Sequence, residues 1–217
     1  MKQFLLKNNS KNLIVFFCGW GMDEKPFLVR ESSQDVLFLY GYEDLGFEFD
    51  FSPYENITLL AFSYGVCVAG LVADKIPNVQ KKIAINGTLI PIDDEYGVPV
   101  KMSLLTEKMD SKTIVKFRER LFFNKEHFEI FNNNLPQRTA ESCTNELVKM
   151  KEFFKSEEVS DLKFDKVYIG LHDRVVPTKN QINFWQKYPP SDIIEIEDGH
   201  FPFYSYKTLE ALWNKLC

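Results

Sequence analysis

A serine, an aspartate and a histidine, in that order, each stand directly behind a short apolar run, and together they could carry nucleophilic acyl transfer. Ser63 ends the run Asn56-Ile57-Thr58-Leu59-Leu60-Ala61-Phe62 and opens Tyr64-Gly65-Val66-Cys67-Val68-Ala69-Gly70, which reads as a strand passing into a small-residue helix. A nucleophile at such a junction needs small residues two positions before and two after it, because strand and helix backbones come close there. Ala61 and Gly65 supply them, Ala61 departing from the usual glycine by one methyl group. A free-standing Ser-x-Gly could equally be a helix N-cap; the strand in front favours the sharp elbow.

Asp173 follows the run Val167 to Leu171, and His200 follows the next one, Ile193 to Ile196. Their separation leaves room for one helix and one strand, so both side chains emerge at the carboxyl edge of a parallel sheet, where sites form. In this arrangement His200 takes the Ser63 proton, and Asp173 fixes the imidazole tautomer and stabilises its charge. Another buried run, Ile14 to Cys18, ends in Gly19-Trp20-Gly21, a loop whose amides can face the same edge. The backbone N–H groups of Trp20 and Tyr64 are the expected oxyanion donors. Two other histidines compete: His172, expected to face away in an extended loop, and His127, expected on a solvated surface. Asp198 is the alternative acid, expected instead to shape the loop that carries His200.

Such a constellation needs a sheet behind it. Buried strands are expected over Leu13 to Phe17, Val36 to Tyr40, Ile57 to Phe62, Lys82 to Asn86, Val167 to Leu171 and Ile193 to Ile196. Lys2 to Leu6 would add an antiparallel edge strand. Tyr64 to Lys75, Lys179 to Lys187 and Tyr204 to Leu216 look helical, so the class is α/β, a mostly parallel central sheet flanked by helices. Between residues 91 and 161 the strand pattern stops, and Val100 to Met109, Lys112 to Phe122, Lys125 to Asn133 and Ala140 to Lys155 can each be drawn as amphipathic helices. The expected organisation is a core of residues 1–90 and 162–217 with a helical cap, residues 91–161, inserted as a lid.

Composition narrows the partners. A net charge of -5 and a pI near 5.4 argue against a general nucleic-acid binder. No apolar run approaches the roughly 18 to 20 residues that span a bilayer, and the N-terminus lacks a signal-peptide core, so a cytoplasmic protein without membrane attachment is expected. Cys18, Cys67, Cys143 and Cys217 have neither paired C-x-x-C spacing nor a histidine cluster suited to zinc; they are expected as free thiols, with no metal. Neither a P-loop nor G-x-G-x-x-G is present, so no cofactor is expected.

The loop Gly19-Trp20-Gly21, the elbow Phe62-Ser63-Tyr64-Gly65, the acid loop Gly170 to Pro177 and Gly199-His200-Phe201-Pro202 resemble those of α/β-hydrolases with a Ser-Asp-His triad. More narrowly, Phe17-Cys18-Gly19-Trp20-Gly21-Met22-Asp23, the Ala-Phe-Ser-Tyr-Gly elbow and the short chain resemble the BioG-type esterases of biotin synthesis, which demethylate pimeloyl-acyl-carrier-protein methyl ester. The longer hydrolases often carry His where this chain has Cys18. The resemblance implies that the insert roofs an acyl chamber and meets an acidic acyl-carrier protein. Residues 98–158 hold 11 basic and 10 acidic side chains, a net +1 against -6 for the remainder, which suits that docking. Lys112, Lys116, Arg118, Arg120 and Arg138 are the candidate contacts, with an ordinary solvated helical face as the alternative. Some of Phe117, Phe122, Phe123, Phe128, Phe131, Phe153 and Phe154 would line the lid. A general carboxylesterase, an acyl thioesterase, and a non-catalytic hydrolase-shaped ligand-binding protein remain open.

Overall fold

The computed structural model describes residues 1–108, 110, 113–154 and 159–214. Seven strands form one sheet: β1 Lys2–Leu6, β2 Asn12–Phe17, β3 Asp35–Tyr40, β4 Asn56–Phe62, β5 Val79–Ile85, β6 Lys166–Gly170 and β7 Asp192–Ile196. Their order is β1-β3-β2-β4-β5-β6-β7, and only β1, on the edge beside β3, runs antiparallel. Near-continuous apolar runs are what a parallel sheet covered on both faces requires. Along β2, Leu13, Val15 and Phe17 enter one core, while Ile14 and Phe16, with Cys18 just beyond, enter the other.

The first core is covered by α1 (Tyr64–Val72) and by parts of α5 (Ala140–Phe153) and α6 (Thr178–Lys187). The second is mainly aromatic: Phe16, Phe27, Phe38, Phe62, Phe201 and Phe203 pack edge-on, tilted or stacked, with α7 (Ala211–Asn214) at its margin. Between β5 and β6 lie α2 (Val100–Thr106), α3 (Thr113–Arg120), α4 (Lys125–Asn132) and α5, with no strand among the described residues there. Asn124 and Thr139 cap α4 and α5 by accepting from the amides of Glu126 and Ser142.

Two expected helices end differently. α1 stops at Val72 and tightens into a single 3-10 turn, Ala73–Lys75. The expected helix from Tyr204 to Leu216 is broken: a 3-10 turn, Pro202–Ser205, is separated from α7 by bends and an isolated bridge between Thr208 and Glu31. The cause is tertiary. Leu209 donates its amide to Glu31, and the Glu210 carboxylate accepts from Ser32, Ser33 and Gln34, drawing the chain away from a helical path. Met109, Lys112, Lys155 and the end of the expected last helix fall outside the described residues. Among those described, no helix is long and apolar enough to cross a membrane, and no cluster of three or more His, Cys, Asp or Glu is placed to hold a metal. Cys18, Cys67 and Cys143 are buried free thiols; Cys217 lies outside the described residues.

The approach of α1 to β2 depends on Gly65. A Cβ there would lie within contact distance of the Phe17 carbonyl oxygen and 2.7 Å from that of Cys18, both backbone atoms that cannot swing aside. Gly65→Ala should therefore lower the free energy of unfolding by about 3 kcal/mol, measured by urea titration; a loss below about 0.5 kcal/mol would mean that α1 can shift away from the sheet.

Candidate active site

Ser63 occupies φ 55, ψ -125 between β4 and α1, a conformation uncommon for a residue with a side chain. The turn presents its hydroxyl at the carboxyl edge of the sheet. Ser63 Oγ lies 2.9 Å from His200 Nε2, and His200 Nδ1 lies 2.8 Å from Asp173 Oδ2. All three residues are buried. With the carboxylate ionised, Nδ1 carries the proton and donates to Asp173, which leaves the Nε2 lone pair for the serine hydroxyl.

Each member is held by its own loop. Asp173 Oδ1 accepts from the amides of Val175 at 2.8 Å and Val176 at 3.0 Å, and Oδ2 accepts from Gln181 Nε2 at 2.9 Å. Phe62 packs against the His200 ring with centroids 5.1 Å apart. Gly87 lets the chain after β5 pass the elbow, since a Cβ there would press on the Ser63 carbonyl and reach 2.8 Å from Val66. Among the described residues, no acceptor takes the amide of Trp20 or Tyr64, so both N–H groups stay available.

Gly19, Trp20, Met22, Ser63, Tyr64 and His200 line one side of a cavity of about 30 Å³; Ser103 and Thr106 of α2, Phe117 of α3 and Leu121 line the other. The remaining insert phenylalanines do not line it. Through Val98, Thr106, Phe117 and Val175 the cavity meets a wider channel of about 270 Å³, apolar along Met102 and Leu105 and flanked by Lys116, Arg120 and Arg174. On another side of Ser63, a recess of about 10 Å³ lies between Gly87, Thr88, Pro91 and Val176. The arrangement offers a candidate nucleophile, a base and two free amides beside a small recess and next to a wider, largely apolar pocket.

The family described as pimeloyl-ACP methyl esterase BioG matches residues 1–212. The chain belongs to the BioG family. The crystal structure of BioG from Haemophilus influenzae is similar over 98% of this chain and 100% of that one, with TM-score 0.88 and 28% identity. An esterase from Exiguobacterium antarcticum shares the α/β-hydrolase fold, with TM-score 0.67 and 16% identity over 94% of this chain and 90% of that one. A malonyl-acyl-carrier-protein O-methyltransferase from Bacteroides fragilis is 37% identical over 88% of this chain, which spans only 40% of that protein's length.

In this BioG-family chain the expected docking cations separate into different environments. Lys116 and Arg120 are exposed on the channel flank. Arg118 is half-buried near Trp20 and Cys143, and burial pushes its pKa down from the ordinary arginine value. Arg138 is not a surface contact: it is buried, and its guanidinium pairs with Glu146 at 3.1 Å. Its place is set by the need to neutralise a carboxylate that is wholly inside. Lys112 lies outside the described residues. His127 is half-buried rather than solvated, its ring edge-on to Tyr204 at 6.2 Å. His172 turns to the surface, stacks on Phe123 at 3.8 Å and pairs with Glu197. Asp198 shapes its loop, accepting from the Gly199 amide and the Ser205 hydroxyl.

Sequence reasoning missed Arg174, Gln181 and Asn86. Arg174 reaches the carbonyl of Phe122 and flanks the channel. Asn86, at φ 46 directly after β5, is fully buried. Its amide group donates to the carbonyls of Gly199 and His200 at 3.0 and 2.8 Å, and its oxygen accepts from the Gly170 amide at 2.6 Å. One side chain thus ties the β6 end that leads to Asp173 to the loop that carries His200. The available signal was an asparagine, tolerant of positive φ, standing where a strand ends. Asn86→Ala should cost at least about 2 kcal/mol of stability, because buried backbone groups lose their partners, and should lower kcat more than it raises KM. Unchanged thermal unfolding and kinetics would exclude this role.

Proposed function

We propose that this chain is a serine esterase that hydrolyses the methyl ester of a pimeloyl group carried on acyl-carrier protein, a step of biotin synthesis. The observation that carries the reading is the Ser63–His200–Asp173 relay in a BioG-family chain, set between a recess of about 10 Å³ and an apolar channel of about 270 Å³ flanked by basic residues.

His200 takes the Ser63 proton as Oγ attacks the ester carbonyl, and the oxygen that gains charge is held by the Trp20 and Tyr64 amides. His200 then protonates the departing methoxide; methanol leaves and the acyl group stays on Ser63. Water, deprotonated by His200, attacks the acyl-enzyme, and collapse returns the Ser63 hydroxyl and frees the carboxylate. No cofactor enters this sequence. The recess beside Gly87 suits a methoxy group. The aliphatic chain lies along Phe117, Met102 and Leu105, and its carrier-linked end leaves past Lys116, Arg120 and Arg174, where an acidic carrier finds complementary charge.

In this reading residues 91–161 form the cap, with α2 and α3 roofing the cavity, and residues 1–90 and 162–217 form the core. A relative named for methylating a carrier-bound acid, in which a region resembles this chain, fits the same reading: an esterase of this kind removes the methyl ester group that such a transferase installs, by breaking its acyl C–O bond.

The native protein should release methanol from the pimeloyl-carrier methyl ester, and Ser63→Ala should abolish turnover by at least about 10⁴-fold; turnover of small esters alone would make the chain a general esterase. Failure of the folded native protein to react with a covalent serine probe would favour a non-catalytic binding protein. Replacing Lys116, Arg120 and Arg174 together by Glu should raise KM for the carrier ester about tenfold or more through lost charge complementarity, with little change for a small methyl ester. Equal KM for the carrier ester would remove the carrier from that face.

A further inference from the structure

The Trp20 amide lies on residues 19–23, beyond the end of β2 and outside the sheet ladder. Within this loop one backbone bond forms, from the Met22 amide to Gly19, and Gly21 sits at φ 69, where the following peptide is free to turn. What holds the loop comes from the segment that begins α5. Gly21 donates its amide to Glu146 Oε2 at 3.2 Å, and the Trp20 indole donates to the Cys143 carbonyl at 2.7 Å. Asp23 Oδ2 accepts from the Gln137 amide at 2.6 Å, and Arg138 donates to the Met22 carbonyl at 3.2 Å.

Glu146 is the junction of this set. It is fully buried; its Oε1 accepts from the Tyr42 amide at 3.1 Å, and its Oε2 takes both the Gly21 amide and Arg138 Nη2. Arg138 is in turn fixed by Ser142 Oγ, at 3.1 Å from Nε and 2.9 Å from Nη2. Burial raises the Glu146 pKa, with Arg138 and the two amides pulling against it. A buried ion pair is a poor source of stability compared with apolar residues of the same volume, so its presence points to what it orients. Here the carboxylate binds the amide that follows Trp20, and the neighbouring turn of α5 binds the Trp20 side chain. The Trp20 α-carbon is therefore pinned on both sides.

We propose that Glu146, held by Arg138, is a positioning residue for the oxyanion hole: it fixes the Gly19–Asp23 loop so that the Trp20 amide points at the developing charge. The inference rests on the esterase reading. It also makes the start of α5, within the insert between β5 and β6, part of the catalytic frame.

The test compares the native enzyme with Glu146→Gln and with the double variant Arg138→Met/Glu146→Leu, whose apolar pair fills the same space without stranding a charge. Each is assayed with the carrier ester and with a small methyl ester, and each is titrated with an alkyl boronic acid, whose tetrahedral adduct on Ser63 needs the oxyanion donors. Loss of a whole donor costs about 10²- to 10³-fold in kcat. The double variant should stay folded by circular dichroism and lose about 10²-fold in kcat with KM nearly unchanged, and its boronate affinity should fall by a similar factor. In Glu146→Gln the oxygen can serve Gly21 and Arg138 only with the NH2 group set against the Tyr42 amide, and the flipped amide sets NH2 against both Gly21 and Arg138, so the three bonds of the carboxylate cannot all form. This variant should lose at least about tenfold in kcat and it covers the case in which the double variant fails to fold. A folded variant with kcat within threefold of the native value would overturn the proposal, as would lost kcat with undiminished boronate affinity. These outcomes are read on either substrate, so an error in the carrier assignment leaves them intact; a native protein inactive on both esters would overturn the esterase reading and this inference with it.

Discussion

The site depends on one sharp turn. β4 gives way to α1 at Ser63, and the chain can make that change of direction only by holding a serine at φ 55 while helix, strand and neighbouring loop come within backbone contact. A strained residue persists where its surroundings over-determine it. Here the surroundings are two glycines that are not interchangeable with alanine: Gly65, facing the β2 carbonyls, and Gly87, facing the Ser63 carbonyl. The Ser63 amide is also anchored to the Ile85 carbonyl, at 2.9 Å, so the elbow is tied to β5 as well as to β2. The proposed nucleophile thus sits on a turn fixed from three sides.

The other groups of the proposed site are brought to that fixed point by loops, and loops need ties. Asn86 joins the β6 end to the His200 loop, Gln181 reaches from α6 to the Asp173 carboxylate, and Glu146 reaches from α5 to Gly21. Each is a buried polar side chain with several partners, costly to bury unless satisfied and directional once it is. The sheet sets the relay to within a loop's freedom, and these side chains remove that freedom.

This division explains what the sequence could reveal. Ser63, Asp173 and His200 were legible as a set because their types are demanded by the proposed reaction, and their places after apolar runs are demanded by a parallel sheet. The inner strands were legible for the same reason: residues buried on both faces leave little room for polar positions, as β2 and β4 illustrate. β7 was expected to be buried as well, but it closes the sheet as an edge strand with Ile193 exposed. Asn86 and Gln181 were not legible, because a lone amide side chain has no pattern until its partners, 80 or more residues away for Asn86, are folded against it. The break after Ser205 was hidden likewise: local periodicity favoured a helix through Leu216, and the contacts of Leu209 and Glu210 with residues 31–34 decided otherwise.

Charge is where counting residues misleads most. The net charge of +1 over residues 98–158 rests on cations with different work. Arg138 is matched inside to Glu146 and contributes almost nothing to the outer field, whereas Lys116, Arg120 and Arg174, the last from the core, converge on one channel. A balance summed along the sequence gives Arg138 and Arg120 equal weight. In the fold, Arg138 is bound inside to Glu146 and the Met22 carbonyl while Arg120 stands exposed on the channel flank, so the same residue type orders a buried loop in one place and faces solvent in the other.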